Sequence, residues 1–242
     1  MVVAISAGAC LDLKLNRNDS IRFIQKYSQK IGGIEIGFGS WEEVLNYTLE
    51  EDTLKFVKSL EFKSIHMPVS NNKYDNNIES KKVLGKVSEL AKEINANYLV
   101  FHPNNIKDYS VLDYGLKNCI ENLNTKEYNK GFQTVQEMKK VLEENKGLGL
   151  ILDTCHMLEA GVEPKDFLEL KEYVKGIHLA VQWKQGERIR THGFLQENLK
   201  QLEQIKPLLK LDVPKIIESD FYPEKVPMIE KEIELIRSFE NP

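Results

Sequence analysis

The residues able to do chemistry in this chain are a small polar set that closes apolar runs. KSIHMP ends on His66, LVFHPN on His102, and CIENLN carries Glu121. LILDTCH holds Asp153 and His156, GIHLAV holds His178, KIIESD holds Glu218, and RIRTHGF adds His192. The chain has five histidines, and all five fall at or just beyond such run ends. Imidazole and carboxylate are the ligand types of Zn²⁺, Mn²⁺ and related ions. Taken singly, each group is as readily a hydrogen-bonded core residue or a helix cap. Taken together, convergent carboxylates repel one another and resist desolvation unless a cation lies among them. The chemistry expected is therefore metal-assisted.

Groups so far apart in sequence need a scaffold that gathers strand ends. Strand candidates are Val2–Ala7, Gly33–Gly37, Phe62–His66, Tyr98–His102, Asn118–Asn122, Leu148–Asp153, Gly176–Leu179 and Lys215–Glu218. Their near-continuous apolar stretches, such as YLVF and LGLILD, suit strands buried on both faces of a parallel sheet. Helical patterns separate them: Ser80–Ile94, Phe132–Leu142 and Lys225–Ile236 carry apolar residues at helical spacing. Asp19-Ser20 and Pro164-Lys165-Asp166 offer helix starts, and Tyr109–Lys117 must supply a short helix before the fifth strand. Eight βα units imply a single (β/α)₈ barrel spanning residues 1–242, with active-site groups at the C-terminal ends of its strands. An open doubly wound sheet is the alternative, but no G-x-G-x-x-G follows the first strand.

The chain has 242 residues, 41% hydrophobic and 29% charged, enough for a sizeable core and too apolar for disorder. Its net charge of −4 and pI of about 5.8 disfavour a nucleic-acid partner. Cys10, Cys119 and Cys155 form no C-x-x-C pair and are odd in number, which fits a reducing cytosol. The first apolar run is too short for a membrane span, so the protein reads as soluble and cytoplasmic with no membrane partner. Met67 and Met157 beside the ligand-type residues read as packing, Cys155 as a buried thiol, and the Lys/Glu-rich tail as the last barrel helix.

HMP, HPN, CIEN, DTCH, IHL and IIES, in this order, resemble the xylose-isomerase-like barrel superfamily, which holds endonuclease IV and the sugar isomerases and epimerases. The likeness runs from the third strand to the eighth, and DTCH followed by Ala160-Gly161 is its most specific part. It implies a shared metal site of Glu121, Asp153, His178 and Glu218. It implies a second site of His66 and His102 with Glu121 bridging, and a third using His156 and His192. At the third site endonuclease IV has an aspartate where this chain has Arg190, which weighs against a third ion. Val69 stands where that enzyme has an aromatic residue, ISAGAC replaces its G-A-H-V-S, and GGIEIGF, with Glu35, is the strand type of the sugar isomerases.

The activity these features favour is a divalent-metal-dependent isomerase or epimerase acting on a small sugar, polyol or sugar phosphate through an enediolate. Glu121 and Glu218 would be acid and base; His156, Arg188 and Arg190, with His66 and His102, would contact substrate. Zinc or manganese is the expected ion, with magnesium an option. An endonuclease IV-like zinc phosphodiesterase acting on abasic DNA is the alternative, and a metal- or sugar-binding barrel without turnover is the third reading.

Overall fold

In a computed structural model the described residues are 1–69, 73–113, 115–126 and 129–239. Strands β1 (Val3–Ser6), β2 (Gly33–Gly37), β3 (Phe62–His66), β4 (Tyr98–Phe101), β5 (Asn118–Glu121), β6 (Gly149–Asp153) and β7 (Val174–Leu179) are followed by a hairpin of β8 (Val181–Gln185) and β9 (Arg188–Gly193), and then by β10 (Lys215–Ile217). The first seven and β10 form a closed parallel barrel in the order β1-β10-β7-β6-β5-β4-β3-β2, and β8 and β9 pair antiparallel outside it. The fold is a (β/α)₈ TIM barrel. Helices α1 (Arg17–Gln25), α2 (Trp41–Asn46), α3 (Glu51–Ser59), α4 (Ile78–Ile94), α5 (Val135–Glu144), α6 (Thr154–Ala160), α7 (Leu199–Leu209) and α8 (Ile229–Ser238) accompany it. Among the described residues, no helix is long and apolar enough to cross a membrane.

Side chains alternate across each strand, so each strand feeds two cores. One residue set points outward: Ile5, Ile34, Ile65, Leu99, Leu150 and Ile217 are buried in a large cluster with helix residues such as Val83, Val87, Ile205 and Ile233. The other fills the barrel interior: Ala4, Phe62, Tyr98, Val100, Cys119, Ile151 and Ile216 form a separate apolar cluster. A Cβ on Gly176 would collide with the Tyr98 hydroxyl, so this glycine is what lets the tyrosine lie across the interior. Continuing the same alternation along β3, β5 and β6 brings His66, Glu121 and Asp153 to the mouth.

The helix starts differ from the sequence reading. Asn16, not Asp19-Ser20, caps α1: its side chain accepts from the Asp19 N–H at 2.9 Å, and the Asp19 carboxylate accepts in turn from the Asn16 amide. Residues Pro164–Leu170 form a 3₁₀ helix behind Glu163, with no side-chain cap. The expected helix over Lys225–Ile236 is 3₁₀ up to Met228, where Pro227 removes a backbone donor, and α-helical beyond. Of Tyr109–Lys117, Tyr109–Leu112 is a 3₁₀ turn, and position 114 lies outside the described residues.

Candidate metal centre

The barrel mouth gathers the ligand-type groups into overlapping sets. One set is Glu121, Asp153, His178 and Glu218; a second is His66, His102 and Glu121; a third is Asp153, His156 and His192. His66, His178 and Glu218 form a further grouping that straddles the first two. Within each set one ligand atom per residue lies within 4.8 Å of the others. Glu121 joins the first set to the second, and Asp153 joins the first to the third. Glu121 Oε2 lies 3.1 Å from His66 Nε2 and 3.3 Å from His102 Nε2. Its Oε1 lies 3.3 Å from His156 Nδ1 and 3.4 Å from His178 Nδ1. Glu218, one residue past β10, brings Oε2 to 3.0 Å from His178 Nδ1.

His66 and His178 each have one nitrogen committed elsewhere, which fixes the ring and leaves the other nitrogen for the cluster, whereas in His156 the Nδ1 that faces Glu121 is also the one held by a backbone carbonyl. His66 Nδ1 is 3.0 Å from the Met67 carbonyl, and His156 Nδ1 is 2.9 Å from the Asn122 carbonyl. His178 Nε2 is 3.3 Å from Glu35 Oε2, which also accepts from Ser64 Oγ at 2.9 Å. Glu35 therefore stands behind His178, a carboxylate orienting a ligand-type histidine. Asn122 clamps the strand end: its Nδ2 donates to the Asp153 carbonyl (3.0 Å) and its Oδ1 accepts from the Asp153 N–H (2.8 Å). As β6 gives way to α6, Asp153 Oδ1 caps the helix by accepting from His156 N–H at 2.7 Å, which leaves Oδ2 facing the cluster. The sequence singled out Glu35 without assigning it a partner and missed Asn122, although an Asn directly after a ligand-type Glu was visible.

The electrostatics describe buried carboxylates and imidazoles that hold one another's charge, with one carboxyl left over. Burial opposes ionisation of Glu121, yet the His178 and His102 imidazoles hold its carboxyl well below the usual range. Glu218 is likewise held down, to about 2, against burial and chiefly by His178. Against burial, Glu121 lifts His66 to about 9, and Asp153 with Glu121 lifts His156 to about 10. His178 is raised well up by Glu218, Glu35 and Glu121, again against burial. Asp153 is left over: burial, with the Glu121 and Glu218 charges, drives its carboxyl well up. Among the described residues, Glu35 Oε1 and Asp153 Oδ2 are buried with no hydrogen-bond partner, and His178 Nδ1 and Glu218 Oε2 are buried with only each other at 3.0 Å, out of line for a hydrogen bond. Unpartnered buried oxygens in a nitrogen-and-oxygen donor set fit divalent cations.

A cavity of about 850 Å³ opens over the cluster on the β1–β3 side, reaching His66, His192 and Glu218. Its outer wall includes Arg17, Glu43, Tyr47, Glu50 and Asp220. Arg17, which no sequence motif singles out, donates to the Ala7 carbonyl (2.9 Å) and to Glu43 (3.0 Å). The arginines that were singled out lie elsewhere: Arg188 and Arg190 are exposed on β9, where Arg190 donates to Gln185 at 3.0 Å, and neither lines the cavity. Val69 does line it, 46% exposed. Met67 and Met157 are fully packed. Cys155 is buried at the start of α6 and its Sγ accepts from His192 N–H.

A closed parallel barrel with convergent imidazoles and carboxylates at the C-terminal strand ends defines a metal-site type of α/β barrel. Residues 108–239 match the xylose isomerase-like TIM barrel family, and the chain belongs to that family. It is 27% identical over 190 residues to a probable endonuclease 4 of Mesomycoplasma hyopneumoniae strain J, covering 65% of this chain and 68% of that protein. Among solved structures, endonuclease IV from Thermus thermophilus superposes with a TM-score of 0.68 at 16% identity, over 99% of both chains. A D-tagatose 3-epimerase-like protein does so with a TM-score of 0.67 at 17% identity over the whole of both. The barrel is thus shared by endonucleases and sugar epimerases.

Proposed function

We propose that this chain is a multinuclear, divalent-metal-dependent phosphoester hydrolase of the endonuclease IV type. The observation that carries the proposal is the division of Glu121, whose two oxygens face different imidazole pairs: His66 with His102, and His156 with His178. A carboxylate divided in this way suits bridging between two ions. It does not suit moving a proton at carbon, which needs one oxygen turned to the substrate. The isomerase reading favoured by the sequence asks that second role of Glu121. Divalent ions would supply Lewis acidity toward phosphoryl oxygens and lower the pKa of water. The chain's own groups would hold that arrangement: Glu121 between the first and second sets, Asp153 between the first and third, and Glu35 and the Met67 and Asn122 carbonyls fixing the rings. The identity to a probable endonuclease 4 supports this reading.

A sugar isomerase or epimerase is the second reading, and the cavity wall favours it. The wall carries Glu43, Glu50, Glu218 and Asp220 with a single arginine, Arg17, which is paired with Glu43, while Glu50 is paired with Arg22. Such a wall suits a small polyhydroxylated substrate better than a polyanionic strand. Zinc-loaded protein should be offered abasic duplex and bis(p-nitrophenyl) phosphate with and without chelator, and a panel of ketoses in deuterated water. Ester cleavage lost with chelator, without deuterium entering carbon, is the expected result. Deuterium incorporation without ester cleavage would overturn the proposal in favour of the isomerase.

A further inference from the structure

The third ligand set depends on His192, which comes from the β8–β9 hairpin and not from a barrel strand. His192 sits at φ +53, a left-handed conformation uncommon for a non-glycine residue. Its backbone is gripped on both sides: the N–H donates to Cys155 Sγ (3.4 Å), and the carbonyl accepts from Asp220 N–H (2.7 Å). The next residue, Gly193, accepts from Ser219 Oγ at 3.1 Å. A Cβ there would lie 2.6 Å from Trp183 Cδ1, so the indole of β8 rests directly on the Gly193 backbone.

The indole is itself pinned. The Lys225 ammonium lies 3.0 Å from the centroid of a Trp183 ring, with Lys225 only 6% exposed. Glu197 holds that ammonium at 2.9 Å and also accepts from Phe194 N–H at 2.9 Å, on the chain just past His192. A buried lysine with one carboxylate, one aromatic face in close contact and a second, Tyr222, at 5.4 Å needs the two close partners to offset its desolvation. We infer that Lys225 and Trp183 are positioning residues for His192: the ammonium–indole stack presses on Gly193 and thereby sets whether the Asp153–His156–His192 set can hold an ion. The other sets are built from barrel strands and strand ends and do not use this stack. The inference rests on the multinuclear reading of the centre, because it concerns that reading's third ion.

The test is zinc titration of metal-free full-length protein, with bound zinc counted by elemental analysis and Trp183 emission followed in a Trp41→Phe background. Wild type should show a weakest class of zinc whose binding changes Trp183 emission. Lys225→Met and the milder Glu197→Gln should weaken that class at least tenfold and leave the tighter classes in place. Lys225→Arg, which keeps a cation over the ring, should restore it. Should Lys225→Met fail to fold, Glu197→Gln and Lys225→Arg decide the matter alone. Variants that bind all classes as wild type does would overturn the inference. Two classes in wild type would overturn it and leave the multinuclear reading standing, whereas a single class would sink both.

Discussion

The floor and the mouth of the barrel interior are built by the same alternation on the same strands, and they are opposite in energy. The floor, with Phe62, Tyr98, Val100, Ile151 and Ile216, is hydrocarbon removed from water. The mouth, a few residues further along the strands, buries Glu35, Glu121, Asp153 and His178 at 1% exposure or less. Burial stabilises the first region and destabilises the second, because buried carboxylates suffer desolvation and mutual repulsion. The floor and the outer ring therefore carry the fold while the mouth draws stability from them.

Ile151→Ala should give the largest change, costing about 3 kcal/mol in chemical denaturation through a cavity in the floor, with zinc stoichiometry intact. Loss of zinc along with stability would break the separation between the two regions. A buried carboxylate outside the barrel gives the control. Glu232 of α8 accepts from Leu195 N–H at 2.7 Å, and burial pushes its carboxyl up from 4.5 to about 7. The folded chain then binds this proton more tightly than the unfolded chain does. Stability should therefore fall by about 3 kcal/mol as pH rises from about 4.5 through about 7, and then level off. Glu232→Gln should flatten that part of the denaturation-versus-pH curve, and added zinc should not.

Smaller effects test the mouth. Glu35→Gln removes the carboxylate behind His178 and should weaken zinc binding roughly 10- to 100-fold in competition with a chelating dye. Asp153→Asn should do two opposite things. The metal-free protein should gain about 1 kcal/mol, because the wild-type carboxyl must take up a proton to be buried there and the amide need not, and the zinc that stabilises wild type should no longer raise its Tm. A metal-free Asp153→Asn protein less stable than wild type would mean that the mouth does not draw on the floor.

The strands were legible because burial on both faces writes continuous apolar runs: β2 and β3 match their expected ranges, β1 is shorter by a residue at each end, and the other barrel strands differ by a residue or two at one end. The eight ligand-type residues were legible for a related reason, since polar groups that close such runs have few other places to point. The β8–β9 hairpin was missed. VQWK and RIRT alternate in polarity around Gly186-Glu187, a hairpin signature that is short and lies outside the repeating units. Arg188 and Arg190 drew attention by proximity in sequence, but the hairpin turns them to solvent. Arg17 and the stack of Lys225 on Trp183 could not be read, because each depends on a contact between segments with no shared periodicity.

Closure of the ring sets how the molecule can be assembled. Val3 of β1 lies in register with Lys215 of β10, so the seam joins the two ends of the chain. Native pairing at that seam waits for every other strand of the barrel to be made, and such long-range joining is slow compared with local helix formation. Until β10 arrives, β1 and β7 each present an open edge of unpaired backbone donors and acceptors, the kind of template on which chains associate. Translation stopped before Lys215 would remove Glu218 from the cluster and bare both edges at once.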